Sequence, residues 1–152
     1  MFSIVLTRPE IPHNTGAIGR LCGGLGVPLN LIRPLGFRLD EKSIARAGLD
    51  YWQNLELHIH DTWEDYLRVE RPERFFMLST HGERSLYECE FCKGDALVFG
   101  NESSGLPQDF YTKYKDRLFK IPMPGEYARS INLANAVSIA AYECYRQISI
   151  ET

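Results

Sequence analysis

The chain has 152 residues and a mass of 17.5 kDa, so we expect one domain spanning residues 1–152. Apolar residues make up 44% and charged residues 24%, which argues against disorder, and the formal net charge of -3 argues against a strongly basic nucleic-acid-binding domain. The charge is uneven: residues 1–50 carry six basic and four acidic side chains, residues 51–110 five and twelve, and residues 111–152 six and four.

The chain shows no feature of a membrane or exported protein. No run approaches the roughly 18 consecutive apolar residues of a membrane span, and the first residues lack the basic start and long apolar core of a signal peptide. Without an export signal, the four cysteines are expected to be reduced thiols. We therefore expect a cytoplasmic protein with no membrane partner.

The first strand and helix are predicted close to the amino terminus. Residues 2–7 form an apolar, β-branched run that predicts a buried strand. Asn14 or Thr15 is placed to cap a helix over about residues 15–25, because both side chains accept hydrogen bonds from backbone N–H groups. Three glycines are then expected to end this helix: Gly23, Gly24 and Gly26.

The rest of the chain alternates between strand and helix patterns. Strands are predicted over residues 29–32, 55–59, 75–78, 96–99 and 118–121. Helices are predicted over residues 40–47, 62–70, a short stretch opened by Pro107, and 132–148. This alternation predicts an α/β domain, with a mainly parallel sheet and helices on both faces.

Several motifs are too weak to assign a function. Cys89 and Cys92 have C-x-x-C spacing, but no second pair exists for zinc and no strand-to-helix step for a redox motif. His58 and His60 share one face of a strand without an evident third metal ligand. The glycines over residues 16–26 fit neither the dinucleotide-binding nor the P-loop pattern. We therefore expect no metal and no nucleotide-dependent dehydrogenase or ATPase.

Two segments carry polar residues where helices and loops bind ligands. An amide at a helix start, Asn14, is followed by Arg20, whose guanidinium could hold a phosphate; a cap and a surface charge are the alternative. Residues 100–107 follow a predicted strand, and such loops bind ligands in α/β sheets. Gly100 allows close backbone approach there, and Glu102 supplies a fixed acid.

A third segment, residues 121–136, leads into the last predicted helix. Its prolines stiffen the loop, and Ser130 or Asn132 is placed to cap the helix. Asn135 is a polar side chain within an otherwise small and apolar helical stretch, which indicates a specific partner.

Together these segments resemble the SPOUT, or trefoil-knot, RNA methyltransferases. Within that superfamily the chain is similar to the short YibK-type tRNA (cytidine(34)-2′-O)-methyltransferases, over residues 2 to about 147. The matching stretches are IVLTRPEIPHNTGAIGRLC, LIRPLGF, ARAGLDYW, LVFGNESSGLP and IPMPGEYARSINLANAVSIAAYE.

The resemblance implies the SPOUT fold with a deep C-terminal trefoil knot, a homodimer, and S-adenosylmethionine as the methyl donor without any metal. It implies 2′-O-methylation of the ribose of the wobble nucleotide, cytidine or modified uridine, in the tRNA anticodon stem-loop. By motif match the donor is bound by Leu78, Thr80, Gly100, Glu102, Ile121, Met123, Ser130, Leu133 and Asn135.

The resemblance also assigns residues on the RNA side. Arg20 matches the family arginine that approaches the ribose hydroxyl, and Asn14 and Tyr142 accompany it in the catalytic group. RNA contacts are implied for Arg20, Arg8 and Arg129, and Arg129 is a candidate for the partner subunit's site.

Two alternatives to the wobble position stay open. The step Gly100-Asn101-Glu102, where YibK-type relatives often have a central proline, also occurs in relatives that methylate other tRNA or rRNA positions. A non-catalytic RNA-binding knot protein is the second alternative.

Pairing two copies would double a thin basic surface. We expect this basic surface to be formed by eight side chains: Arg8, Arg20, Arg33, Arg46, Lys113, Lys115, Lys120 and Arg129.

Overall fold

Seven short strands form one sheet in a computed structural model that describes residues 1–40 and 50–150. The strands are β1 Ser3–Thr7, β2 Leu29–Ile32, β3 Leu57–His60, β4 Phe75–Leu78, β5 Arg84–Ser85, β6 Ala96–Phe99 and β7 Leu118–Lys120. Their order is β3-β2-β1-β6-β4-β7-β5, and every pair is parallel. The predicted helix over residues 40–47 and the predicted basic residue Arg46 lie outside the described residues.

The predicted parallel sheet is confirmed, with differences at its margins. The third strand begins at Leu57 instead of residue 55, because the Leu55 N–H donates to the Trp52 carbonyl at 3.2 Å and so belongs to the turn before the strand. The seventh ends at Lys120, one residue early. Strand β5 was not predicted, because two residues are too few to show an alternating pattern.

The described part of the chain contains four α-helices: α1 Pro12–Leu25, α2 Trp63–Glu70, α3 Phe110–Lys113 and α4 Leu133–Ile150. Single 3₁₀ turns span Asp50–Asn54, Leu86–Glu88 and Lys115–Arg117. Side-chain caps are present at two helix starts. Thr62 Oγ1 accepts the Asp65 N–H at 3.0 Å, and Asn132, one of the two predicted caps of the last helix, accepts the Asn135 N–H at 3.2 Å through its Oδ1. Helix α3 begins at Phe110, so Pro107 lies in the preceding turn and does not open it.

The start of α1 differs from the predicted one. The helix begins at Pro12, three residues early, because proline already holds the helical φ and needs no hydrogen bond in the first turn. Ile11 precedes it and provides no side-chain cap, so neither Asn14 nor Thr15 is the capping residue. At the other end Gly26, with a φ of 67°, forms the left-handed stop, whereas Gly23 and Gly24 lie within the helix.

Helices cover both faces of the sheet. Alternate residues of β1 point in opposite directions, so Ile4 and Leu6 join one core cluster and Val5 joins the other. The first cluster contains the apolar side chains of α1 and α4, and the second those of α2 and α3. The central strands β1 and β6 are apolar on both sides, which is typical of a parallel sheet between two helical layers.

The two strand histidines lie on the edge strand β3. His60 is buried, with Nε2 3.1 Å from Asn30 Oδ1 and 3.5 Å from the Glu70 carboxylate, while His58 is half-exposed. Burial lowers the pKa of His60. Within residues 1–40 and 50–150, no three His, Cys, Asp or Glu side chains are grouped so as to hold a metal ion. Over the same ranges no helix is long and apolar enough to cross a membrane.

The four cysteines differ in their expected reactivity. All are free thiols; Cys22, Cys89 and Cys144 are buried, and Cys92 is exposed. Burial raises the pKa of Cys22 and Cys89 to about 12 and also raises that of Cys144. Because the thiolate is the reactive species, these three thiols should not react in the folded protein at neutral pH.

Titration of the native protein with a thiol reagent at about pH 8 should therefore label one cysteine, and titration after unfolding should label all. Cys92→Ser is the control, and it should abolish labelling of the native protein. Rapid labelling of a second thiol in the native protein would contradict the buried positions.

Candidate functional site

A cavity of about 520 Å³ opens at the carboxyl ends of β4, β6 and β7. Because parallel strands end at the same edge, the loops that follow them meet there. The cavity is lined by residues 78–81, 99–106, 121, 123, 130–133 and 136, together with Ile11, Asn14 and Tyr111. Its volume lies within the range of about 300–1,000 Å³ typical of small-molecule sites.

The predicted donor residues are brought together at this cavity with one exception. Those that line it come from all three loops: Leu78, Thr80, Gly100, Glu102, Ile121, Met123, Ser130 and Leu133. Asn135 does not line it; its side chain is exposed and makes no hydrogen bond to the described part of the chain. Asn14, predicted for the RNA side, lies in the cavity wall.

The other predicted residues lie outside the cavity of this single chain. Arg20 is exposed on α1, and Tyr142 is 54% exposed on α4. Arg129 is exposed in the loop before α4. Arg8 is exposed at the end of β1 with a φ of 52°, a left-handed conformation that non-glycine residues rarely adopt. A monomer therefore combines the donor residues but not the predicted RNA-binding arginines.

The loop after β6 is closed by an unusually close backbone approach. A Cβ atom on Gly100 would lie 2.0 Å from the carbonyl carbon of Gly105, so only glycine fits. The backbones of Asn101 and Gly105 exchange two hydrogen bonds of 3.0 and 3.3 Å. Asn101 Oδ1 also accepts the Ser104 N–H at 2.8 Å. Asn101 thus holds the loop closed through hydrogen bonds within the loop itself.

Tyr111 supports the same loop from behind and was missed by the sequence analysis. Its hydroxyl accepts the Leu106 N–H at 3.2 Å and lies 3.4 Å from Ser79 Oγ, so it contacts the loops after both β4 and β6. An aromatic residue within a short helix resembles an ordinary core residue, so no local pattern identifies this role.

The carboxylate of Glu102 binds the backbone that leads into α1. Its Oε2 accepts the N–H of Glu10 at 2.8 Å and the N–H of Ile11 at 3.0 Å. The neighbouring Ser103 hydroxyl donates to the Glu10 carboxylate. The loop after β6 is therefore attached to the amino end of α1.

A second contact attaches the loop after β7 to the first turn of α1. Asn132 Nδ2 donates to Asn14 Oδ1 at 3.0 Å, while Asn132 Oδ1 caps α4. Asn14 is almost fully buried, whereas Asn132 is exposed, so the amide pair is partly buried at the edge of the cavity. Sequence analysis identified the cap but not the contact, because the two asparagines are 118 residues apart.

The lining suits a nucleoside-containing ligand. Leu78, Ile121 and Leu133 offer apolar side chains against which a planar base can lie. The turns that surround them present backbone N–H and C=O groups, and Ser130 and Thr80 add hydroxyls. The residues thus fit S-adenosylmethionine, the donor that the family resemblance implies.

Comparison with known proteins gives consistent matches over nearly the whole chain. The model of the SpoU rRNA Methylase family matches residues 1–142. A tRNA (cytidine(34)-2′-O)-methyltransferase of Saccharophagus degradans is 46% identical, with 97% of this chain and 96% of that protein covered. One of Burkholderia ambifaria is 41% identical, with 99% and 98% covered.

Solved structures agree with these relatives. A structure that addresses 2-OH methylation of C/U34 on tRNA has a TM-score of 0.88 and 49% identity, covering 97% of this chain and 95% of that one. The SpoU methyltransferase AviRb from Streptomyces viridochromogenes, in complex with AdoMet, has a TM-score of 0.79 and 26% identity, covering 97% and 57%.

The close approach of Gly100 to Gly105 gives a direct test of the cavity. Gly100→Ala should lower the free energy of unfolding by about 2 kcal/mol, because the added methyl group has no room. It should also weaken binding of S-adenosylmethionine. Urea unfolding and isothermal titration calorimetry measure the two effects.

Gly23→Ala is the matched control, because a Cβ atom there meets nothing within 4 Å and alanine favours the helix. It should unfold with wild-type or slightly higher stability. A Gly100→Ala protein with wild-type stability and donor affinity would contradict the close packing of this loop.

Proposed function

Because the chain belongs to the SpoU methylase family, we propose that it methylates the ribose 2′-hydroxyl of the wobble nucleotide of tRNA, with S-adenosylmethionine as donor. The observation that carries this proposal is the cavity, whose wall combines eight of the nine donor residues taken from the motifs. The relatives that are 41% and 46% identical over nearly the full length act on cytidine 34, by their names.

Donor binding rests on the three loops around the cavity. We assign the base to the apolar side chains of Leu78, Ile121 and Leu133, and the polar part of the donor to the hydroxyl and backbone groups near Ser130 and Gly100. Met123 shapes the entrance. Asn135 lies just beyond the wall, so its proposed contribution is to the RNA side or to a second subunit.

The methyl transfer depends mainly on the alignment of the ribose hydroxyl with the methyl group of the donor. The donor supplies, when bound, a methyl group on a positively charged sulfur. The ribose hydroxyl must lose its proton and lie in line with the carbon–sulfur bond, so residues that orient it contribute much of the rate. Arg20 is proposed to hold the hydroxyl oxygen and a neighbouring phosphate, since a guanidinium donates hydrogen bonds but does not accept a proton.

The position of Arg20 outside the cavity supports a dimer. We propose that two copies pair through the outer faces of α1 and α4, where Ile139 and Tyr142 are 40% and 54% exposed. Pairing would bring arginines of one subunit, Arg20 or Arg129, to the cavity of the other. It would also place Tyr142 close to the assembled site.

The RNA substrate is proposed to be the anticodon stem-loop. Arg8, Arg20 and Arg129 are exposed and free to meet phosphates, and phosphate contacts position RNA without reading its sequence. We further propose that the whole chain is one knotted SPOUT domain, with the segment before α4 threaded through a loop, and that it acts in the cytoplasm, where tRNA is found.

The decisive experiment maps the methylated nucleotide. The protein is incubated with labelled donor and total tRNA from a strain lacking the enzyme, and the product is digested and identified by mass spectrometry. A methyl group on the wobble ribose supports the proposal, and a methyl group elsewhere identifies another RNA position. Donor binding without any transfer would support a non-catalytic RNA-binding protein.

The role of Arg20 is tested by replacing it. Arg20→Ala should lower turnover by about 100-fold, equivalent to about 2.7 kcal/mol, because the hydroxyl is no longer oriented. Donor affinity, measured by calorimetry, should stay close to that of the wild type, because Arg20 does not line the donor cavity.

Arg68→Ala is the control, since Arg68 is an exposed arginine on α2 that pairs with Asp65 and does not line the cavity. It should turn over at the wild-type rate. Unchanged turnover in Arg20→Ala would remove this arginine from the mechanism.

A further inference from the structure

Helix α1 begins without a capping group of its own. Ile11, the residue before the helix, offers no side-chain hydrogen bond, and the first turn contains no acidic residue. The amino end of a helix carries unpaired N–H groups and a partial positive charge, which favour a nearby anion. The start of α1 therefore needs an acceptor from elsewhere in the chain.

Glu102 supplies that acceptor from the loop after β6. One carboxylate oxygen accepts two backbone N–H groups, those of Glu10 and Ile11, at 2.8 and 3.0 Å. The other oxygen is 3.4 Å from the same Glu10 nitrogen. The negative charge of Glu102 is thus directed at the start of α1. The residue also lines the cavity.

The helix that Glu102 holds carries the groups proposed for the RNA side. Asn14, in the first turn, lines the cavity and bonds to Asn132 of the third donor loop. Arg20 lies on the same helix, which transmits displacement of one end to the other because its backbone is hydrogen-bonded throughout. The carboxylate therefore connects the donor loop to the arginine.

We infer that Glu102 is a positioning residue: its carboxylate holds the start of α1 against the donor loop and so sets the place of Arg20, and it does not act as a counter-charge for the donor. This inference rests on the proposed function for its catalytic part. It differs from the motif assignment, which gives Glu102 a direct role in donor binding.

The first test compares two donors that differ in charge at sulfur. S-adenosylmethionine has a positive sulfonium and S-adenosylhomocysteine has a neutral sulfur. In Glu102→Gln the amide oxygen still accepts the two backbone bonds, so the dissociation constants of both ligands should change by less than about threefold and turnover by less than about fivefold. Loss of affinity for S-adenosylmethionine alone would overturn the inference, since it would show a counter-charge.

The second test removes the acceptor and then restores the charge on the helix itself. Glu102→Ala should lower kcat by about tenfold or more, with a smaller change in donor affinity, because α1 is no longer held. Adding His13→Asp, an acid in the first turn of α1, should recover part of the thermal stability but not kcat, because the aspartate stabilises the helix start without reattaching it to the loop after β6. His13 is exposed and does not line the cavity, so His13→Asp alone should leave kcat within about twofold.

The remaining outcomes separate this inference from the proposed function. A wild-type kcat in Glu102→Ala would overturn the positioning role. A double variant that regains the wild-type kcat would also overturn it, because stabilising the helix start would then be enough without the contact to the loop. If the wild-type protein transfers no methyl group to RNA, the proposed function fails. The helix-start contact is then still tested by the melting temperatures of Glu102→Ala and of its His13→Asp double variant.

Discussion

The carboxylate of Glu102 joins two parts of the chain that are 91 residues apart, and the arrangement of the cavity depends on this contact. It is possible because β1 and β6 are neighbours in the sheet, with Leu6 opposite Phe99, so the segments that follow them leave the same edge. Thr7 Oγ1 donates to the Phe99 carbonyl at 2.8 Å and fastens the two strand ends just before they diverge. The loop and the helix then meet with little freedom.

The first turn of α1 is consequently shared by two donor loops. Glu102 attaches the loop after β6, and the amide pair of Asn14 and Asn132 attaches the loop after β7. The loop after β4 joins this group through Tyr111, which contacts Ser79 and Leu106. The loops around the cavity are thus connected to one another by side-chain hydrogen bonds at one edge of the sheet, and no single loop is positioned independently.

The acidic middle third of the chain has a structural explanation. Several of its carboxylates have partners within the chain: buried Asp95 pairs with Arg74, exposed Asp61 pairs with Arg33, and Glu102 accepts from the backbone at α1. Asp95 is almost fully buried and also accepts the Cys92 N–H. Because these carboxylates already have partners within the chain, a net charge of -3 says little about the surface offered to RNA.

Local patterns were sufficient for much of the molecule. Apolar runs predicted six of the seven strands, because periodicity depends on neighbouring residues. The eight predicted donor residues that line the cavity came from the family resemblance of the loop motifs. Tertiary structure alone decided the contact between Asn14 and Asn132, the support from Tyr111, and the position of Arg20 outside the cavity. These features depend on which strands become neighbours, and that order brings together residues about 90 to 118 positions apart that no local pattern relates.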